Sequence, residues 1–278
     1  MTDAVAMADA ATEAANGADS GGDASRADAA PEAARPDAAG DGARPDGAGP
    51  EAAAPDAAAE AEAGIDPFAC LGQPLPTTAP ATLQIGGITA DINQMPIDAV
   101  DVQAFIGAST TAAAMTTSVA NGTYSLTVST GGTPVDGYLR ASKNGLIDTF
   151  FYAPSPVAAS TNQAILLLAT VQSFTFLAGL ANVTPDPTMG TLVVGIVDCL
   201  GRPVAGATVD VQPAGTTRYL RNAMPSTAAA DTDATGLAAV FNVPAGSVTV
   251  GASAGARTLR QHVLNVRANV LTSTSVVP

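Results

Sequence analysis

Beyond residue 82 the chain is a series of short runs in which large apolar side chains alternate with polar ones, separated by glycine, proline and Asn-Gly. ATVDVQ (207–212) is the clearest of them. Val209 and Val211 fall on one face and Asp210 and Gln212 on the other, the two-residue period of a half-buried strand. TLVVGIVD (191–198) is a continuous run rich in β-branched residues that ends at Cys-Leu-Gly-Arg-Pro, a strand and the turn that stops it. The same reasoning predicts strands over 237–243, 247–254, 258–266 and 270–277, with turns at 231–236 and at Pro244-Ala245-Gly246, where proline presets φ and glycine admits positive φ. Upstream, 83–90, 99–106, 123–129, 137–142, 147–152 and 164–168 read alike, with Asn121-Gly122 as a turn dipeptide. One stretch breaks the pattern. VQSFTFLAGLANVTPDPTMG (171–190) spaces Val171, Phe174, Leu177 and Leu180 or Val183 for a short helix closed by Pro185 and Pro187; otherwise it is an extended connector whose phenylalanines fill a seam.

The pattern occurs twice. Gly87-Ile88, Pro96 and Val100-Asp101-Val102-Gln103 recur in order as Gly195-Ile196, Pro203 and Val209-Asp210-Val211-Gln212, at offsets of 108, 107 and 109 residues. Tyr138 to Ser142, followed by Gly145, corresponds to Thr249 to Ser253, followed by Gly255. Ordered matches at nearly one offset predict a duplicated unit. Strands at this spacing, without a helical period, predict an all-β chain of two tandem antiparallel sandwiches. The expected organisation is a linker over 1–66, a cysteine-containing lead-in over 67–82, a diverged sandwich over 83–172, a connector over 173–189 and a second sandwich over 190–278.

Charge separates the first of these segments from the rest. Residues 1–66 hold 15 of the 25 Asp and Glu and 3 of the 11 Lys and Arg, hence −12 of the −14 net charge. Pro-Asp recurs at Pro36, Pro45 and Pro55, and prolines so spaced remove amide donors and clash with the preceding turn, which excludes a long alanine helix. Few large apolar groups are present to offset chain entropy, so a disordered, extended, self-repelling linker is expected. The remaining basic residues are scattered without interleaved aromatics, which excludes nucleic acid as a partner.

No stretch approaches the roughly 20 apolar residues of a membrane span. MTDAVAMADAAT also lacks the cationic start and apolar core of a secretory signal, which taken literally means cytoplasm. The linker, the scarcity of Lys and the all-β body point instead to the cell envelope or the extracellular space. The two are reconciled if Met1 is an internal start with a signal or lipoprotein leader upstream, in which case a lipid anchor is expected.

GIVDCLGRPVAGATVDVQ, then DTDATG, then FNVPAGSVTVGASAG resembles the carboxypeptidase regulatory-like domain. Gly195, Val197, Asp198, Gly201, Pro203, Val204, Gly206, Ala207 and Val209 match the first half of that family's pattern. Thr232, Asp233, Gly236, Val243, Pro244, Ala245 and Gly246 match the second. The resemblance implies a transthyretin-like (prealbumin-like) seven-stranded sandwich over about 190–278. The unit over 83–172 keeps Gly87, Pro96, Ala99, Val100 and Gly122 to Tyr124, as a diverged copy would. It further implies a non-catalytic module of envelope and secreted proteins, with no cofactor and no family-wide catalytic residues.

The candidate chemistry is sparse. A His-dependent triad would have to use His262, the single histidine, which shares a strand face with Arg260 and Leu264 and is read as a surface or satisfied strand residue. Neither that histidine nor the two distant cysteines fit a zinc site. Asp231, Asp233 and Gly236 echo a calcium loop, but Asn242 stands where its bidentate Glu belongs, so a side-chain-braced turn and no metal is expected. Asn121-Gly122-Thr123 and Asn182-Val183-Thr184 match the glycosylation sequon and read equally as loop residues. Within Phe150-Phe151-Tyr152, Phe150 and Tyr152 share a face and could contact a sugar, or serve as core and edge. Cys70 and Cys199 both begin a Cys-Leu-Gly-x-Pro turn; in an envelope protein they predict one disulfide, and in a reducing compartment two buried thiols. These readings predict a structural or interaction protein whose partner is an envelope protein or polysaccharide, with a carbohydrate-binding accessory module as the alternative.

Overall fold

The computed structural model describes residues 66–278, so the linker expected over 1–66 lies outside the described residues apart from Asp66. In chain order the first half holds β1 (Thr82–Asp91), β2 (Asp101–Ile106), β3 (Ala114–Thr117), β4 (Thr123–Ser129), β5 (Gly137–Ser142), β6 (Thr149–Tyr152) and β7 (Thr161–Leu168). Helix α1 (Val171–Leu180) follows. The second half holds β8 (Met189–Ile196), β9 (Ala207–Gln212), β10 (Thr216–Arg221), β11 (Met224–Ser226), β12 (Leu237–Pro244), β13 (Gly246–Ala254), β14 (Arg257–Thr258), β15 (His262–Val266) and β16 (Leu271–Val276).

The fold is predominantly β-strand. Among the described residues three sheets form: β4-β1-β7; a nine-stranded sheet β11-β10-β12-β8-β16-β6-β5-β2-β3; and β13 with β9, β15 and β14. The expectation of purely antiparallel sheets is corrected here. β7 runs parallel to β1, and β16 runs parallel to both β8 and β6. Side-chain alternation reports which face is buried and carries no information on strand direction, so the sequence pattern could not have revealed this. The halves keep separate cores. Val102, Leu126, Leu139 and Leu166 pack in the first, and Leu192, Val194, Ile196, Val240, Val250 and Leu264 in the second. The middle sheet nevertheless crosses from one half to the other without a break.

Helix α1 begins at 171, two residues before the expected connector, because the Thr170 hydroxyl caps it by accepting the Ser173 N–H at 3.0 Å. It lies on the outer face of the second half, packing Ala178 and Phe174 on Ala239 and Phe241. Val171 and Leu180, counted on its apolar face from sequence, are exposed. Strands β3, β10 and β11 were not expected, and the strand expected over 258–266 divides at Leu259, which is buried while Arg260 N turns to Val277 O.

The internal repeat is visible in the hydrogen bonds. Thr89 N donates to Gly122 O and Ile196 N to Gly236 O; Ile97 N donates to Thr89 O and Val204 N to Ile196 O. The Ser118 hydroxyl accepts from Val100 N and donates to Ile97 O. That of Thr232 does the same for Ala207 N and Val204 O. Asp91 accepts from the N–H groups of Asn93 and Met95, as Asp198 does from those of Leu200 and Arg202. Along β1, β2 and their turn these correspondences keep a constant offset of 107 residues. The recurring VDVQ is therefore two residues out of structural register, and the Gly-Ile match one. Val100 corresponds to Ala207 and Val102 to Val209. A shift of two along a strand preserves which face is inward, so the similarity of sequence survives the change of position.

Candidate binding cleft

The pleat puts Phe150 and Tyr152 on one face of β6, with Phe151 turned to the first core. Beside them on β5 stands Tyr138, paired with Tyr152, and on β2 Phe105, paired with Tyr138. Phe105 and Tyr138 stack with centroids 4.8 Å apart; Tyr138 lies 5.3 Å from Tyr152 and 5.8 Å from Phe150. Arg267, just past β15, spreads over this surface, 4.0 Å from the Phe150 centroid and 4.7 Å from that of Tyr138. Its Nη1 donates to the Tyr152 hydroxyl at 3.0 Å. Tyr152 also packs against the second core. The aromatic stripe is thus the seam between the halves, clamped by a cation over two ring faces.

A cleft of about 670 Å³ opens beside this seam, lined by Tyr138, Tyr152, Pro154, Arg260, His262 and Arg267 among others. Of the two residues singled out from sequence as possible ligand contacts, Tyr152 lines the cleft. Phe150 is 6% exposed beneath Arg267 and offers no ring face to a ligand. His262 sits with Nε2 2.8 Å from the Thr274 hydroxyl, which itself donates to Tyr152 O at 2.9 Å. The ring therefore donates from Nε2, and its Nδ1 is a buried acceptor without a partner. Burial holds the pKa of His262 below 6.5, against an opposing pull from Asp136. Thr274, the hydroxyl within reach, is buried and committed to a carbonyl, so the pair is not arranged as a nucleophile and its base.

The first half holds a second cavity of about 340 Å³, lined by Ile85, Ala104, Leu139, Phe151, Val157 and the β7 residues Thr161, Gln163 and Ala164 among others. The residues that echo a calcium loop are spent on turns. Asp231 pairs with Arg221 at 2.9 Å, and Asp233 accepts from Thr235 N and Asn222 N. Among the described residues, no group of three or more His, Cys, Asp or Glu is placed to hold a metal ion. Of the two sequons, Asn121 accepts from its own Thr123 N–H and hydroxyl, and Asn182 sits just past the end of α1 at positive φ.

The structure brings Cys70 and Cys199 together as a disulfide spanning 129 residues, with Cα atoms 5.7 Å apart. The lead-in is fastened there by further contacts. Phe68 packs against the second core, Arg257 covers its ring at 4.8 Å and pairs with Asp66, and Arg260 donates to Gln73 O. Further on, Ala79 N donates to Gly132 O, so the same lead-in reaches the first half. Beside the bridge, Asp198 is buried. Burial pushes its pKa up, but bonds from Arg202 and the Leu200 N–H outweigh it and hold the carboxyl below the usual range.

No family model matches the chain, and no curated protein matches it. Among solved structures 35 chains match. The TIE protein of Bacillus anthracis is 11% identical, over 71% of this chain and 34% of that one, with a TM-score of 0.26. The shaft pilin SpaA of Lactobacillus rhamnosus GG is 10% identical, over 71% and 98%, with a TM-score of 0.23. A 3-chlorocatechol 1,2-dioxygenase of Rhodococcus opacus 1CP is 13% identical, over 38% and 66%, with a TM-score of 0.25. The chain spans about a third of the length of the first of these.

No helix among the described residues is long and apolar enough to cross a membrane. Sequence reasoning missed Tyr138, Arg267 and Arg260 as parts of the cleft. Tyr138 is 14 residues from Tyr152 on the neighbouring strand β5, whereas Arg260 and Arg267 stand more than a hundred residues along the chain and only the fold brings them to it.

Proposed function

We propose that this chain is a non-catalytic cell-surface or secreted protein with a structural and interaction role. It presents two β-sandwich domains of carboxypeptidase regulatory-like, transthyretin-like type, over about 83–172 and 190–278, on the acidic linker of residues 1–66. The observation that carries this reading is the join. β16 pairs with β8 and β6 at once, and the Cys70–Cys199 bridge ties the lead-in to the second half, so a load entering near residue 70 is shared between a covalent link and a row of backbone hydrogen bonds. Three titratable groups of the cleft serve the seam in the same way: Arg267 clamps rings, Arg260 holds the lead-in and His262 braces β16. An envelope protein or polysaccharide is the proposed partner. Protease treatment of intact cells tests the location; the expected result is release of a folded fragment close to residues 66–278, and a protein cut only after lysis contradicts the proposal.

The second reading, a carbohydrate-binding accessory module, is favoured by Tyr138 and Tyr152 lining the cleft. A glycan array with the parent and Tyr152→Ala separates the two. Glycan binding lost in the variant supports the carbohydrate reading, and no binding by either protein leaves the structural one.

A further inference from the structure

The junction between the halves has two unused counterparts in the same chain. In the first half β5 pairs Tyr138 with Tyr152 of β6; in the second β13 pairs Thr249 with Val263 of β15. Tyr138 corresponds to Thr249, so β15 is the counterpart of β6, and Val263 that of Tyr152. In the same way Leu166 of β7 stands beside Thr89 where Val276 of β16 stands beside Ile196. Hence β7 is the counterpart of β16 and Ala164 that of Thr274; a bulge between Ile85 and Gly87 sets Thr161 beside Ile85 as Thr272 stands beside Leu192, so Thr161 is the counterpart of Thr272. Within the chain β6 and β16 pair in parallel, and Tyr152 packs on the second core. Their counterparts β15 and β7 each end a sheet.

Both edges are built as though for pairing. HVLNV and TNQAILLL carry no Lys, Arg, Asp, Glu or Pro, the residues by which edge strands are ordinarily protected, and Arg260, just before HVLNV, is turned to Gln73 O. Val263 is 64% exposed where its counterpart Tyr152 is packed on a core. Ile165 of β7 is 55% exposed, beside Ile88 of β1. The 340 Å³ cavity adjoins Thr161, Gln163 and Ala164, the segment that corresponds to the paired part of β16, and the 670 Å³ cleft runs along β15 from His262 to Asn265. Gln163 N donates to the Thr161 hydroxyl of its own strand.

We propose that copies of this chain join head to tail, β15 of one pairing in parallel with β7 of the next and repeating the β6–β16 junction. Gln261 stands opposite Thr161 and Val263 opposite Ala164, and Val263 enters the apolar cavity of the first half. The two surfaces differ, so the contact is heterologous and each added copy leaves the same two edges for another. The backbone ladder supplies the attraction and the cavity the selectivity, the ordinary logic of strand addition.

The pairing Phe150–Thr272 inside the chain predicts that Gln261 of one copy meets Thr161 of the next. The full chain carrying Gln261→Cys and Thr161→Cys, the first position exposed and the second half-buried, is oxidised mildly and run without reductant. The expected result is a ladder of dimers, trimers and larger species from the double variant and dimers at most from a mixture of the two single variants. Light scattering on the parent is expected to show a mass that rises with concentration, and Val263→Lys to return it to one chain. A parent mass of one chain at every concentration, a rising mass without the ladder, or cross-linked dimers from either single variant alone overturns the proposal. The cross-link does not depend on Val263→Lys folding.

Discussion

At the residue scale the seam rests on Arg267. It covers two rings and bonds a tyrosine hydroxyl, and removing it exposes Phe150 and leaves Tyr152 without its partner. Arg267→Ala is expected to cost about 2 kcal/mol, read as a lower denaturant midpoint with an unchanged slope, and Arg267→Lys to recover part of it. His262 gives the molecule a pH response. Its pKa is lowered in the folded state, so below 6.5 the unfolded chain takes up a proton that the folded chain resists, and stability falls as the pH falls. Asp186, Asp198 and Asp233 have depressed pKa values, and each contributes stability that is lost only as the pH falls below about 4. The unfolding midpoint is therefore expected to drop between about pH 7.5 and 5.5 in the parent and to stay level in His262→Gln. An unchanged slope in the variant would show that another group titrates there.

At the element scale much was legible, and the failures share a cause. ATVDVQ and TYSLTVS announced themselves because one face of each is buried and the other wet. TTRYLR did not, since Arg218 and Arg221 spend their charge on backbone carbonyls and an aspartate, contacts that no periodicity encodes. Tyr152 was visible as an aromatic beside Phe150, whereas Arg267 and Thr274, which bond its hydroxyl and its carbonyl, stand more than a hundred positions away. The sequence also hid why Gly87 stands in β1. A Cβ there would lie 1.9 Å from Ala164 O, so β7 approaches β1 only because that atom is missing. Gly87→Ala is expected to force these strands apart and to cost about 3 kcal/mol in thermal or denaturant unfolding. A variant as stable as the parent would mean that β7 does not lie so close.

At the scale of the whole molecule, a duplicated unit has been built into one body by two devices. The first is an exchange of edges: β6 ends one half's sheet and β16 the other's, and their pairing turns two sheets into one. The second is the covalent link between the lead-in and the turn after β8. A link closing a loop of this length stabilises by about 4 to 5 kcal/mol on chain-entropy grounds. Cys70→Ala with Cys199→Ala is expected to lose most of that while keeping its strand content by circular dichroism. The bridge also joins structure to location, because such a link persists in an oxidising compartment and not in the cytosol. The account of an envelope structural protein therefore meets its most direct test in the thiols. Protein taken from its native compartment is quenched in acid, alkylated without reductant and weighed intact. The account predicts a mass with neither cysteine labelled, and two added labels only after reduction. Two labels before reduction would contradict it.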